Sequence, residues 1–179
     1  GARTGSAVCL GAITVVPVRI LRSAASARAL LIGFASGEAA GDCVAGVIAA
    51  GISAGGRGMM DRLAIHAAGD FAEAGYPRDA GALLIVELDG PEAEVDDAIA
   101  RVEGMARDCG ATSVRASASE EERLLFWAGR KAAFPAVGRI SPDYYCMDGT
   151  IPRRRLPEVL ARMSEMSARY RLRVANVFH

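Results

Sequence analysis

The chain has 179 residues, with 21 Lys+Arg set against 21 Asp+Glu. Zero net charge removes the electrostatic argument for a nucleic-acid or anionic-membrane partner. With 51% hydrophobic and 6% aromatic residues, the composition excludes disorder and favours small-residue helices packed closely on a sheet, in one to two domains.

Residues 7–21 read as a strand with a turn, rich in Val and Ile. The apolar start "AVCLGAITVV" lacks the basic flank of a signal peptide. Pro17 and Arg19 end it well short of the ~20 residues a membrane span needs. "RALLIGFA", residues 28–35, is a continuous apolar run that suits a strand buried on both faces. Ser36 is placed as an N-cap for a helix through Ala39, Cys43, Val47 and Ala50, with Gly51 as its stop. "ISAGGRG", residues 52–58, reads as a loop, and "MMDRLAIHAAGDFAEAG" as a second helix. "YPRD" is a turn and "GALLIVELDG" the clearest strand.

"PEAEVDDAIARVEGMARDCG" has Pro91 at a helix start, acids in the first turn and Cys-Gly at the end, as proline geometry and the helix dipole favour. "TSVRASAS" alternates as a strand. Ser119 should cap the helix "SEEERLLFWAGRKAAF", which Pro135 closes or bends. "PDYYCMDGTIP" is expected to contain a strand. "RRRLPEVLARMSEMSARYRL" reads as an amphipathic helix, and "RVANVF" as the last strand.

This order predicts an α+β fold. It is a mainly antiparallel sheet with helices on one face, resembling ferredoxin-like split βαβ units. A doubly wound parallel sheet fits less well, because no glycine-rich strand-to-helix phosphate loop is present.

Candidate chemistry is sparse. Cys9, Cys43, Cys109 and Cys146 lie far apart with no CxxC pair. They read as buried reduced thiols of a cytosolic protein. Arg130 and Lys131 are adjacent on a helix and point in different directions. Alternation would send Tyr144 and Cys146 to one face of a strand, and Tyr145 and Met147 to the other. His66 reads as a half-exposed helix histidine. His179 ends a strand, and one ligand is not a metal site. No catalytic nucleophile or triad emerges.

"YPRDAGALLIVELDG", "WAGRKAAFPAVGRISPDYYCMDGTIPRRRLPEVL" and "YRLRVANVFH" together resemble the family of FAD-linked glycolate oxidases and D-lactate dehydrogenases. These flavoproteins carry a vanillyl-alcohol-oxidase-type FAD domain followed by a cap, or substrate, domain. The resemblance implies that residues 1–27 are the remnant of the last FAD-domain strand and a linker. Residues 28–179 would be the cap domain, incomplete at its C-terminus.

It also implies FAD-dependent oxidation of a small 2-hydroxy acid, glycolate or D-lactate, to the 2-oxo acid, with hydride passing to the flavin. Arg130 matches the arginine that holds the substrate carboxylate. Cys146 stands where some relatives that take a larger dicarboxylate have lysine, which favours a substrate with one carboxylate. "NVFH" matches the start of "NVFHAGDGNLHP", so His179 maps onto the first of two histidines that join a glutamate around a divalent metal. The other two ligands are not in this sequence.

"GSAVCLGAIT", residues 5–14, lines up with "GSEGTLGIVT". Gly5, Ser6 and Gly11 match in a loop that approaches the flavin, as do Leu10 and Thr14. Ala7, Val8 and Cys9 depart from it, and Gly58 replaces the usual glutamate before "MMD". The expectation is a fragment of the oxidase that is inactive alone and does not hold FAD unaided. It would be cytoplasmic and homo-oligomeric, and would pair with the missing FAD domain or other subunits of the oxidase. The alternative is a non-catalytic interaction module derived from that family.

Overall fold

The structure is a computed structural model and describes residues 14–20, 23–152 and 155–178 of the chain. Ten elements follow in order: β1 (Ser26–Phe34), α1 (Gly37–Ala49), β2 (Gly56–Asp61), α2 (Arg62–Ala72), β3 (Ala82–Gly90), α3 (Glu92–Asp108), β4 (Ala111–Ala116), α4 (Glu120–Ile140), α5 (Leu156–Tyr170) and β5 (Val177–Phe178). The strands form one sheet in the order β4-β1-β3-β2-β5. Every pairing is antiparallel.

The order of the first four strands, 4-1-3-2, with α1 and α3 as the two crossovers, is the split βαβ arrangement expected from the sequence. β1 and β3 lie at the centre and pair over nine residues, from Ser26↔Gly90 to Phe34↔Ala82. Both are buried on both faces, which explains their unbroken apolar runs.

The α+β antiparallel class holds, but the helices cover both faces. Leu30, Ile32 and Phe34 of β1 and Leu84, Val86 and Leu88 of β3 meet α1 and α3 on one side. Ala29, Leu31, Leu83 and Ile85 meet α2 and α4 on the other. Strand alternation sends apolar side chains both ways, and each set needs a cover. α5 adds an outer layer over α1, where Pro157 Cγ lies 3.1 Å from the position a Cβ on Gly41 would take.

Ser36 and Ser119 cap α1 and α4 as expected, accepting from the N–H groups of Ala39 and Glu122. Four local expectations change. Residues 56–61 are strand β2, and Asp61 rather than an earlier residue starts α2 by capping Ala64 N at 3.0 Å. Pairing with β3 outweighs the helical spacing of "MMD". Pro135 does not end α4, which runs on to Ile140. Pro135 itself is exposed, and burial of the flanking Ala133 and Ala136 holds the helix in place, against the usual cost of an interior proline. Residues 142–152 form no strand and stay almost wholly exposed. Of the predicted strand at 7–21, residues 14–20 are irregular and exposed, and the rest lies outside the described residues.

Candidate functional site

α4 buries Phe126, Gly129, Ala133 and Ala136 against the sheet and α2. Arg123, Trp127 and Arg130, spaced i, i+4, i+7, form the adjoining strip of the same helix. That strip lies over β2 and β3. Glu87 of β3 accepts from Trp127 Nε1 at 2.6 Å and from Arg123 at 2.5 Å, through the same Oε2. Arg123 also pairs with Glu120. Its hydrogen bonds to Glu120 and Glu87 hold its guanidinium above the ordinary value, against the opposing effect of burial.

The floor of the strip is glycine. Gly56, Gly58 and the buried Met60 face the same side of β2 by alternation. A Cβ on Gly56 would stand 3.0 Å from Trp127 Cζ2. One on Gly58 would stand 3.3 Å from Trp127 Cζ3 and 3.5 Å from Arg130 Nε. The absent side chains let the indole lie flat on the strand and bring Arg130 down onto Gly58.

Behind Arg130, the Tyr76 hydroxyl donates to Phe126 O. Its ring packs against Gly129 so tightly that a Cβ there would come within 2.7 Å of Cε2. Burial pushes the Tyr76 phenol up, and the neighbouring Arg130 pulls it partly back. Burial lowers the Arg130 guanidinium from its ordinary value. The group remains a cation at neutral pH, and its lost hydration favours an anionic partner.

The far edge of β2 carries residues 176–178. Asp61 Oδ2 accepts from Asn176 N at 2.7 Å and from Asn176 Nδ2 at 2.8 Å, while Asp61 N donates to Asn176 O at 3.0 Å. Burial raises the Asp61 carboxyl, and its hydrogen bonds from Ala64, Asn176 and Leu63 oppose this. Beyond the clip, Val177 pairs with Met60 and Phe178 with Met59.

Of the residues singled out from sequence, Arg130 is half-buried on this strip. Gly5, Ser6, Cys9, Gly11 and His179 lie outside the described residues. Lys131 faces solvent, as do Tyr145, Cys146 and Met147. Cys146 is therefore not the buried thiol expected, because the strand that would have buried one face of 142–152 does not form. His66 is half-exposed on α2, with Nε2 2.8 Å from Arg78 O.

Sequence reasoning missed Glu87, Trp127, Asp61 and Asn176. The only available signals were the alternating glycines of "GGRG" and the i, i+4, i+7 spacing on α4.

Among the described residues, no group of three or more His, Cys, Asp or Glu side chains is placed to hold a metal. Two surface cavities, at His66–Arg78 and along α5, measure about 140 and 210 Å³. Both fall below the ~300 Å³ at which small-molecule pockets begin. Among the described residues, no helix is long and apolar enough to cross a membrane.

The fold has a match in alkyldihydroxyacetonephosphate synthase, with a TM-score of 0.59 at 10% identity over 83% of this chain and 32% of that one. At that identity the likeness concerns the fold alone. Residues 23–179 match the family of FAD linked oxidases, C-terminal domain, and the chain belongs to that family.

Among curated relatives, it is 57% identical over 176 residues to glycolate oxidase subunit GlcD of Escherichia coli (strain K12), covering 98% of this chain and 35% of the relative. It is 27% identical over 175 residues to glycolate oxidase subunit GlcD of Bacillus subtilis (strain 168), covering 98% and 37%. The chain thus spans about a third of the length of the curated relatives it matches.

Proposed function

We propose that this chain supplies the substrate-side domain of an FAD-dependent oxidase or dehydrogenase of small 2-hydroxy acids, glycolate or D-lactate, with Arg130 as the carboxylate anchor. The observation that carries the reading is the seating of a half-buried guanidinium on Gly58 of β2. A planar cation with restricted hydration suits a bidentate carboxylate contact. The strip that holds it is fixed by the Glu87–Trp127 hydrogen bond, so the cation is held in position before the anion arrives.

Residues 28–179 act as the cap unit, and residues 1–27 as the end of the FAD domain and its linker. Gly5, Ser6 and Gly11 contact the flavin in the complete protein, and His179 is the first ligand of its divalent metal. Oxidation to the 2-oxo acid belongs to that complete protein, with the flavin carrying the redox chemistry. The chain alone is inactive. It works in the cytoplasm, against the FAD domain or the other oxidase subunits, and self-associates through exposed apolar side chains such as Leu124, Phe134 and Leu172.

The test exchanges this chain for the matching segment of the Escherichia coli relative, and measures flavin content and glycolate-dependent dye reduction. The expected result is a yellow, active hybrid. A hybrid that binds flavin and turns over neither glycolate nor D-lactate overturns the reading.

A further inference from the structure

One buried phenol has no part in the proposed function. Tyr76 is wedged between α2 and α4 at 6% exposure. A Cβ on Gly69 of α2 would stand 3.7 Å from its Cδ2, and one on Gly129 of α4 only 2.7 Å from its Cε2. The second spacing is closer than real side chains come, so glycine at 129 is what lets the hydroxyl reach the helix backbone. There it donates to Phe126 O. In a regular α-helix that carbonyl serves the N–H four residues ahead, which here is that of Arg130. A carbonyl has two lone pairs and can take the phenol as well. Tyr76 thus grips the turn of α4 from which Arg130 projects.

The turn that delivers Tyr76 is itself fixed. Gly75 precedes it at φ +64°, a conformation that favours glycine. Pro77 follows, and holds the residue before it out of the helical region. Pro77 Cγ lies 3.3 Å from the position a Cβ on Gly33 would take, which seats the turn on the central strand β1. Burial pushes the phenol up from its ordinary value, so the hydroxyl keeps its proton and remains a donor at neutral pH. Phe126 is fully buried, and a hydrogen bond shielded from water in this way is costly to lose.

Given Arg130 as the carboxylate anchor proposed above, on which this inference rests, we propose that Tyr76 is a positioning residue for it. The hydroxyl bond to Phe126 O fixes the height of the α4 turn over Gly58 of β2, and with it the place where the guanidinium meets a substrate carboxylate. Glu87 holds the strip through the Trp127 side chain, whereas Tyr76 holds it through the helix backbone, from the side of α2. A bidentate contact depends on placement, and a displacement on the order of 1 Å costs up to about 100-fold. A turn freed from one hydrogen bond relaxes by less, so the expected loss is about tenfold.

The test is a double-mutant cycle in the hybrid oxidase at matched flavin content, with Tyr76→Phe, Arg130→Lys and the two together. Tyr76→Phe keeps the packed ring and removes only the hydroxyl. It should raise KM for glycolate about tenfold while kcat changes by less than about twofold. The inhibition constant of acetate, a carboxylate with no hydroxyl, should rise by the same factor. With Arg130→Lys already in place, Tyr76→Phe should add less than about twofold. An equal rise in both backgrounds would mean that Tyr76 does not act through Arg130, and would overturn the proposal. So would a Tyr76→Phe form whose KM and acetate inhibition are unchanged while Arg130→Lys shows its loss. Arg130→Lys without effect would instead remove the anchor itself, and this role of Tyr76 with it. Gly69→Ala adds a methyl at ordinary contact distance from the other edge of the ring and leaves the hydroxyl in place, so KM should stay as it is. A rise matching that of Tyr76→Phe would assign the effect to ring packing and overturn the proposal.

Discussion

The two faces of the sheet are built from the same strands and do different things. Toward α1 and α3 the packing is apolar: Leu30, Ile32, Phe34, Leu84, Val86 and Leu88, with Cys43 buried among them. Toward α2 and α4 the apolar patch of Leu31, Met60, Leu83, Ile85 and Phe126 is bordered by Tyr76, Glu87, Trp127, Arg130 and Asp61, each held by a hydrogen bond or a close contact. The ferredoxin-like crossovers supply the scaffold. α4, one of the three helices outside that unit, carries Arg123, Trp127 and the proposed anchor Arg130. The proposed binding group thus sits where the fold has been added to, on a base that it does not disturb.

The strongest way to break this comparison is to empty each face in turn. Phe34→Ala on the scaffold face and Phe126→Ala on the other remove fully buried rings, and each should cost about 3–5 kcal/mol in denaturant unfolding. A markedly smaller loss for Phe34 would mean that the scaffold face is not the stabilising one.

Glu87→Ala should cost about 2 kcal/mol, since it strands the Trp127 N–H and removes one of the two carboxylates paired with Arg123, which keeps Glu120. In the hybrid oxidase it should raise KM for the hydroxy acid more than it lowers kcat. Glu87→Gln keeps an acceptor for Trp127 and should recover most of the KM effect.

Asp61 sharpens the contrast through pH. Its folded carboxyl titrates above the ordinary 3.8 because of burial. The native state therefore holds a proton that the unfolded state has released. Stability is highest below 3.8 for this group and falls as pH rises through the raised value. Asp61→Asn should flatten that slope in pH-dependent urea melts, and an unchanged slope would assign it elsewhere. The smallest expected effects are those of the caps: Ser36→Ala and Ser119→Ala should each cost ~1 kcal/mol, one on either face.

Much of the scaffold was legible in the sequence. The unbroken apolar runs of β1 and β3 announced central strands, and Ser36, Ser119 and Gly51 marked helix ends through local hydrogen bonding. The losses share a cause in long-range pairing. "GRGMMD" has no strand propensity of its own and becomes β2 only by pairing with β3 on one side and β5 on the other. "PDYYCM" alternates like a strand but pairs with none of the described strands, and stays irregular.

Arg130, Trp127 and Glu87 all stand in the stretches that carry the family resemblance, but their spatial relation does not show there. Glu87, Trp127 and Gly58 are brought together from β3, α4 and β2. Their meeting depends on a register that local spacing does not encode.

The central claim is that the α4 strip presents Arg130 to a substrate carboxylate. Its most direct test compares the hybrid oxidase with its Arg130→Lys form, measuring kcat/KM for glycolate at matched flavin content. Lysine keeps the charge and loses the planar fork. The account predicts a fall of about 100-fold or more, equivalent to roughly 2.7 kcal/mol or more of lost transition-state binding, with flavin content and unfolding temperature unchanged. A kcat/KM within about twofold of the unsubstituted hybrid would contradict it.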